Sequence, residues 1–442
     1  MILNEQQQYA FDQAMQGRNI FVSGPGGVGK SVVANKIRES MKDRCIVVAP
    51  TGIAAMNVEG ATLHKTFLFP FGILTTYNSV PKPPVRALFA DNTIKTIIID
   101  EPSMIRADLF NAMDKILKSC KGNKKPFGGL QVLLFGDFYQ LGPVLGNREV
   151  DAYNKIYDSV YCFNHPVWNE LGLETIELTK VMRQSDEKFI SLLNSIRVKD
   201  ENSIQSLYEL NEIGLSNEDV DEENSIFLCA TNKDADNINA LRLDQLNTKE
   251  RIYKAHKQGT FTSEPAPFEL RLKVGCKVVI TVNGIGYVNG SRGEVTELSD
   301  DFVSVKLDRG GLIVTLSKNT WKEKEYKIVK KRVDGQVEKY DESETENEVS
   351  SETIGSYTQF PIKLGYACTV HKSQGCTFDS AIIHNGRGFF THGQLYVALS
   401  RIRSLEGLGI MNVIQPREMI VDEEVKEFYE RNKNMNLLGS LA

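Results

Sequence analysis

Residues Gly24 to Ser31 read GPGGVGKS, the pattern G-x-x-x-x-G-K-[ST], and this run constrains the fold more than any other in the chain. It requires a buried strand before it and a helix after it, and it lies between the apolar stretch NIFVS and a helical run. Small residues let the backbone N–H groups close around phosphates, and the helix N-terminus favours negative charge. Lys30 then reaches the β- and γ-phosphates, and Ser31 is placed to ligate magnesium. At average residue frequencies a chain of this length meets the four fixed positions by chance on the order of once in fifty. A nucleoside triphosphate site built from Gly24, Pro25, Gly26, Gly27, Val28, Gly29, Lys30 and Ser31 is the first expectation.

The surrounding pattern agrees. NIFVSG (19–24), CIVVAP (45–50), TIIIDE (96–101) and VLLFGD (132–137) are continuous apolar runs separated by helical stretches, as in an α/β domain whose parallel strands are buried on both faces. TIIIDE ends in adjacent carboxylates, Asp100 and Glu101. Alone this is a strand with an acidic end; beside a phosphate loop, Asp100 reads as a Mg²⁺ ligand and Glu101 as the group that polarises an attacking water. The helical face made by Met104, Ile105, Leu109, Phe110, Met113, Ile116 and Leu117 reads as core packing.

A second α/β pattern is expected to begin near 175 with TIELTKVMRQ and to continue through SIFLCATN (225–232), LGYACTVHKSQG and LGIMNVI (408–414). Between about 269 and 358 the texture changes to short alternating segments, KVVITVN, GEVTEL, FVSVKL and GLIVTL, which predict a small inserted antiparallel barrel. Within it, residues 318–332 are basic, a solvated strand face or a phosphate-contacting edge. Residues 334–352 hold eight acids and one Lys, which predicts a solvated loop.

With 442 residues, 41% hydrophobic and 25% charged, the chain has the composition of a globular protein. No run approaches the ~20 apolar residues of a membrane span and the N-terminus has no secretory layout, so a cytoplasmic protein without membrane contact is expected. Seven scattered cysteines without C-x-x-C spacing read as reduced thiols. The net charge of −5 gives no global attraction for a polyanion, so any nucleic acid must be held by local groups. A GTPase would need N-K-x-D, and TNKDAD (231–236) puts Ala235 where the Asp belongs. Thr369 to Gly375, TVHKSQG, taken alone is a polar turn closed by glycine.

Twelve stretches in order, LNEQQ, GPGGVGKS, APTGIAA, TLHKTF, IIIDEPSM running into DLFNAMDKI, PFGGLQVLLFGDFYQLGPV, LTKVMRQ, TNKDADNIN, YVNGSRGEV, TVHKSQG and YVALSR, are spread over about nine tenths of the chain. Together they resemble the Pif family of DNA helicases of superfamily one, related to RecD and the phage Dda helicase. The resemblance implies two RecA-like motor domains with ATP and Mg²⁺ between them. It implies that Gln7 reads adenine, Ser31 and Asp100 hold the metal, Glu101 activates water, Gln140 senses the γ-phosphate, and Arg183 and Arg401 are arginine fingers from the second domain. Gly375 would face the nucleotide. Thr51, Gly52, His64, Lys65, Asn232, Asn289, Thr369, His371, Lys372 and Ser373 match positions that approach the DNA strand. Phe67, Phe69 and Phe71 lie where the family carries a wedge, facing a base or filling a miniature core. Pro102 replaces a usual aliphatic residue and Gly142 a usual proline, and Pro102 removes a backbone donor beside Glu101.

The expected architecture is α/β, with a first RecA-like P-loop domain over 1–175 that includes the wedge at about 63–92. A second motor domain is expected over 176–268 and 359–414, an inserted Src-homology-three-like β-barrel over 269–358, and a helical tail over 415–442. The expected activity is ATP-driven 5′ to 3′ translocation on single-stranded DNA with unwinding at junctions between single and double strands. The working form is expected to be a monomer, with DNA-induced self-association open. Two other classes fit the sequence: a translocase or loader of the same fold that does not unwind, and a P-loop ATPase whose barrel holds a protein partner.

Overall fold

The computed structural model describes residues 3–439 except 52–53, 56–57, 71, 75–79, 91–92, 147–148, 185, 224, 260–263, 283, 288–289, 309 and 333–344. The chain forms two compact units, one of Met1–Asn217, Thr377–Asp379 and Arg387–Ala442, the other of Glu218–Cys376 and Ser380–Gly386.

The first unit is built on six parallel strands in the order Ala61–Thr62, Cys45–Ala49, Thr96–Asp100, Gln131–Phe135, Ile20–Ser23 and Glu174–Glu177. The central strands are buried along their whole length, which explains why they read as uninterrupted apolar runs. Register aligns Asp100 with Phe135, and Phe135 with Val22. The phosphate loop, the acidic pair and the GDFYQ turn therefore leave the sheet at one edge. The strand Glu174–Glu177, expected to open the second pattern, instead pairs with the strand that feeds the phosphate loop. Its apolar run was legible, but its pairing partner 150 residues upstream was not.

The expected apolar helical face is buried, with Phe110, Met113, Ile116 and Leu117 at 0–1% exposure. The helix itself runs Ala107–Lys121 and so begins after Met104 and Ile105, which belong to a short turn started by Pro102. The terminal helix Glu423–Gly439 is no loose tail: Val425, Phe428 and Tyr429 sit in the same core as Phe21, Phe110, Phe138, Phe163 and Trp168. The ring of Phe428 stacks on Phe163 at 4.4 Å and meets Phe138 edge-on at 5.2 Å.

In the second unit three parallel strands lie side by side, Ala367–Thr369, Ile226–Cys229 and Ala381–His384. Beside them is a five-stranded antiparallel sheet in the order Ile313–Ser317, Phe302–Leu307, Arg292–Leu298, Lys277–Ile280 and Ile362–Leu364. Its first four strands are the four segments picked out by alternation, and the fifth lies beyond the expected boundary at 358. Val278, Ile280, Val295, Val303, Val305 and Leu316 form its core. The acidic run departs from the expected loop: residues 345–352 belong to the strand Thr345–Gln359, paired with Asn319–Arg332 in a register that sets Glu346 opposite Lys331. Main-chain pairing along the whole length of the partner strand holds these residues extended, which a compositional reading does not register.

Candidate nucleotide and nucleic-acid sites

The phosphate loop is held by groups from four parts of the first unit. Gln7 closes a capping box at the start of the helix Glu5–Met15, exchanging hydrogen bonds with Asn4, and its Nε2 donates to the Val28 carbonyl at 2.9 Å. The residue expected to read adenine is thus buried and tied to the phosphate loop itself. Lys30 donates to the carbonyls of Gly24 and Pro25 at 2.7 and 3.0 Å. Burial lowers its pKa, opposed by the carboxylates of Asp137, Glu101 and Asp100. Gly27 has φ +90°, and a Cβ there would fall 2.5 Å from the Cβ of Arg183, so only glycine fits.

Both expected arginine fingers reach this loop. A Cβ built on Gly26 would lie 3.4 Å from Arg401 Nη2 and 3.7 Å from Arg183 Nη1. Arg401 is 2% exposed and is aimed by its own helix, Gln394–Ser400, donating to the Val397 carbonyl at 2.9 Å and to Ser400 Oγ at 2.8 Å. Arg183 donates to the Ser400 carbonyl at 3.1 Å. The same helix presents Tyr396, whose hydroxyl accepts the Gly26 N–H at 2.9 Å. It can begin where it does because Gly393, at φ +70°, lets the backbone pass close to Gln140: a Cβ there would be 2.5 Å from the Gln140 carbonyl oxygen. Gln140 is itself buried.

Asp100 ends its strand fully buried, and its pKa is raised well above the usual carboxylate value, first by burial and then by Glu101; Lys30 opposes the shift. Glu101 has φ +51°, a conformation that costs a non-glycine residue of order 1 kcal/mol, and its N–H donates to the Phe135 carbonyl at 2.8 Å. Pro102 thus leaves Glu101 held by its own amide at the sheet edge. A desolvated carboxylate beside a second one is a setting a divalent cation satisfies, and Ser31 is exposed. No group of three or more His, Cys, Asp or Glu side chains able to hold a metal occurs among the described residues. These side chains fit an ion such as Mg²⁺ that takes its remaining ligands from phosphates and water.

In the first unit Thr51 caps the next turn by accepting the Ala54 N–H at 3.2 Å, and Lys65 is exposed. His64 is half-buried beside Phe69, with its pKa lowered by burial. The wedge aromatics settle as core: Phe67 stacks between Phe69 and Phe89 at 5.4 and 5.5 Å, and all three are buried. Gly52, Phe71 and Asn289 lie outside the described residues.

In the second unit TVHKSQG begins at the carboxyl end of one parallel strand and Asn232 follows the end of its neighbour, so Lys372 Nζ donates to Asn232 Oδ1 at 2.9 Å on the surface. Thr369 caps the turn by accepting the Lys372 N–H at 3.4 Å. Ser373 is buried and donates to the Val370 carbonyl at 2.8 Å, so its hydroxyl serves the turn. His371 is half-buried with its pKa lowered by burial, and Gly375, at φ +81°, is exposed. Asn239 fixes the strand by accepting the N–H groups of Tyr366 and Ala367 at 3.1 and 3.0 Å.

A family model described as PIF1-like helicase matches residues 2–207. The ATP-dependent DNA helicase Pif1 of Bdellovibrio bacteriovorus is 30% identical over 443 residues, covering 97% of this chain and 92% of that protein. The chain belongs to the PIF1-like helicase family. The ATP-dependent DNA helicase PIF1 of Danio rerio is 31% identical over 456 residues, but the chain spans only 65% of its length. Among solved structures, a Bacteroides Pif1 helicase in complex with ADP-AlF3 and ssDNA is 36% identical, with 98% of both chains covered and a TM-score of 0.74. A structure of two coordinating Pif1 helicases at forked dsDNA is 35% identical, with the same coverage and a TM-score of 0.75. The chain shares the two RecA-like domains of the PIF1-like fold.

The PIF1-like motifs held several residues that sequence reasoning left without a role. Asp137 of GDFYQ is fully buried and receives two hydrogen bonds from Arg197, at 2.8 and 2.9 Å. The Arg197 guanidinium lies over the Tyr139 ring at 4.7 Å. Tyr396 stood inside YVALSR. Asp137, as an acid within an apolar run, and Tyr396, in the helix that leads directly to Arg401, carried a signal; Arg197 and Tyr429 carried none.

Proposed function

We propose that this ATP-dependent DNA helicase translocates 5′ to 3′ on single-stranded DNA and separates strands at junctions between single- and double-stranded DNA. The convergence of Arg183 and Arg401 on Gly26 of the phosphate loop is the observation that carries the reading. A guanidinium at that place stabilises charge on a transferring phosphate, which favours hydrolysis over nucleotide binding alone.

Lys30 and the loop amides bind the β- and γ-phosphates, releasing Lys30 from the carbonyls of Gly24 and Pro25. Gln7 Oε1, which accepts the Asn4 N–H, keeps one lone pair direction for the base, and Nε2 turns to it by giving up its contact with Met182 Sδ at 3.5 Å. Ser31 and Asp100 would hold Mg²⁺, which neutralises phosphate charge when bound. Glu101 orients and polarises the attacking water, Gln140 registers the γ-phosphate, and Arg183 and Arg401 stabilise the transition state. Thr51, His64 and Lys65 in one RecA-like domain, and Asn232, His371 and Lys372 in the other, grip the DNA backbone. Grip that alternates with nucleotide state moves the strand in one direction. The working form is a monomer, with DNA-induced self-association open, and it acts in the cytoplasm.

Single-turnover and steady-state ATP hydrolysis with and without single-stranded DNA test the assignment. DNA should stimulate the wild type. Lys30→Ala should abolish hydrolysis, and Arg401→Ala should keep ATP binding while losing on the order of a thousandfold in kcat. Hydrolysis by Arg401→Ala at the wild-type rate, or indifference of the wild type to DNA, would refute it.

A further inference from the structure

Phe138, two residues before Gln140, has both of its peptide groups held by side chains from the end of the chain. Its N–H donates to the Tyr429 hydroxyl at 3.1 Å, and its carbonyl meets His392 Nε2 at 2.7 Å. The Asp422 N–H donates to His392 Nδ1 at 2.9 Å. That bond makes Nδ1 the acceptor, so Nε2 carries the proton and donates to Phe138, and burial favours this neutral ring. The Tyr429 hydroxyl is also 2.7 Å from Ser23 Oγ, immediately before Gly24, and 3.5 Å from Asp137 Oδ1. Its ring stacks on Tyr139 at 4.6 Å. One phenol thus joins the strand that feeds the phosphate loop to the turn that carries Gln140.

The Phe138 side chain needs no such help, because it already packs among Phe21, Phe163, Trp168 and Phe428. What the two hydrogen bonds add is the orientation of the peptide planes leading to Gln140. We propose that Tyr429 and His392 are positioning residues for ATP hydrolysis: the C-terminal segment fixes the backbone of the turn that aims Gln140 at the terminal phosphate. The proposal rests on Gln140 being the γ-phosphate sensor. A misplacement near 1 Å can cost on the order of a hundredfold in rate, so losing one of two restraints should cost roughly tenfold.

The test is steady-state ATP hydrolysis at saturating single-stranded DNA for Tyr429→Phe, His392→Leu, His392→Gln and Gln140→Ala, with the thermal unfolding midpoint of each. Tyr429→Phe keeps the ring stack and removes only the hydroxyl; its kcat should fall about tenfold with the KM for ATP changed less than about twofold. His392→Leu should behave alike, whereas His392→Gln, whose amide can still donate to the Phe138 carbonyl, should recover to within about threefold of wild type. Wild-type kcat in Tyr429→Phe and His392→Leu alongside a defective Gln140→Ala overturns the positioning role alone. So do kcat losses that disappear once assay temperatures are matched to the unfolding midpoints. Wild-type hydrolysis by Gln140→Ala removes the sensor assignment, and the positioning role falls with it.

Discussion

Four histidines, His64, His165, His371 and His392, share one electrostatic condition: burial lowers the pKa of each below its ordinary value of 6.5. A histidine held neutral in the fold but free to protonate when unfolded stabilises the protein fully above about pH 6.5. That contribution is lost as pH falls toward the lowered folded value. His392 is the most enclosed of the four, facing the Phe138 carbonyl, Asp422, Asp137 and the Tyr161 ring. Unfolding free energy should therefore drop between about pH 7.5 and about pH 5.5, and His392→Gln should show a shallower drop than wild type. Denaturant titrations at the two pH values check this, and equal slopes would remove His392 from the account. At this scale the sequence named Gln7, Lys30, Asp100, Glu101, Gln140, Arg183 and Arg401, because each stands in a short motif beside its neighbours. It could not name the Asp137–Arg197 pair, 60 residues apart, or Tyr429 against Phe138, 291 apart. Such partners meet only through the packing of whole elements.

At the scale of elements, the wedge shows how a pattern can leave two meanings open until the packing is seen. Phe67, Phe69 and Phe89 form a buried stack, and the Arg106 guanidinium pins the adjoining segment to the following helix by bonding both Asp108 and the Gly72 carbonyl. Phe69→Leu should therefore lower stability by about 1 kcal/mol and leave single-strand affinity within about twofold. A base-stacking platform would instead lose about fivefold or more in affinity, since such stacking is worth about 1–3 kcal/mol per base. Fluorescence anisotropy with a labelled oligonucleotide separates the two. Apolar runs located nearly every central strand, because burial on both faces leaves a continuous signal. The same runs could not assign Glu174–Glu177 to its sheet, nor show that the terminal helix carries core aromatics, since neither fact is written in local periodicity.

For the molecule as a whole, a net charge of −5 means that DNA must be held by local groups, and Lys65 and Lys372, proposed for that role, are both exposed. The order of motifs made the family and its two RecA-like domains legible from end to end. Residues 176–217 and 387–414, expected in the second domain, fall in the same compact unit as the phosphate loop. That grouping places Arg183, Arg401 and the phosphate loop in one unit. TVHKSQG, a polar turn when read alone, lies at the carboxyl ends of adjacent parallel strands, beside Asn232. The central claim is directional unwinding driven by ATP, and a duplex with a single-stranded tail on either its 5′ or its 3′ end measures it directly. Strand separation should require ATP and proceed only on the 5′-tailed substrate; equal unwinding of both substrates, or of neither, contradicts the account.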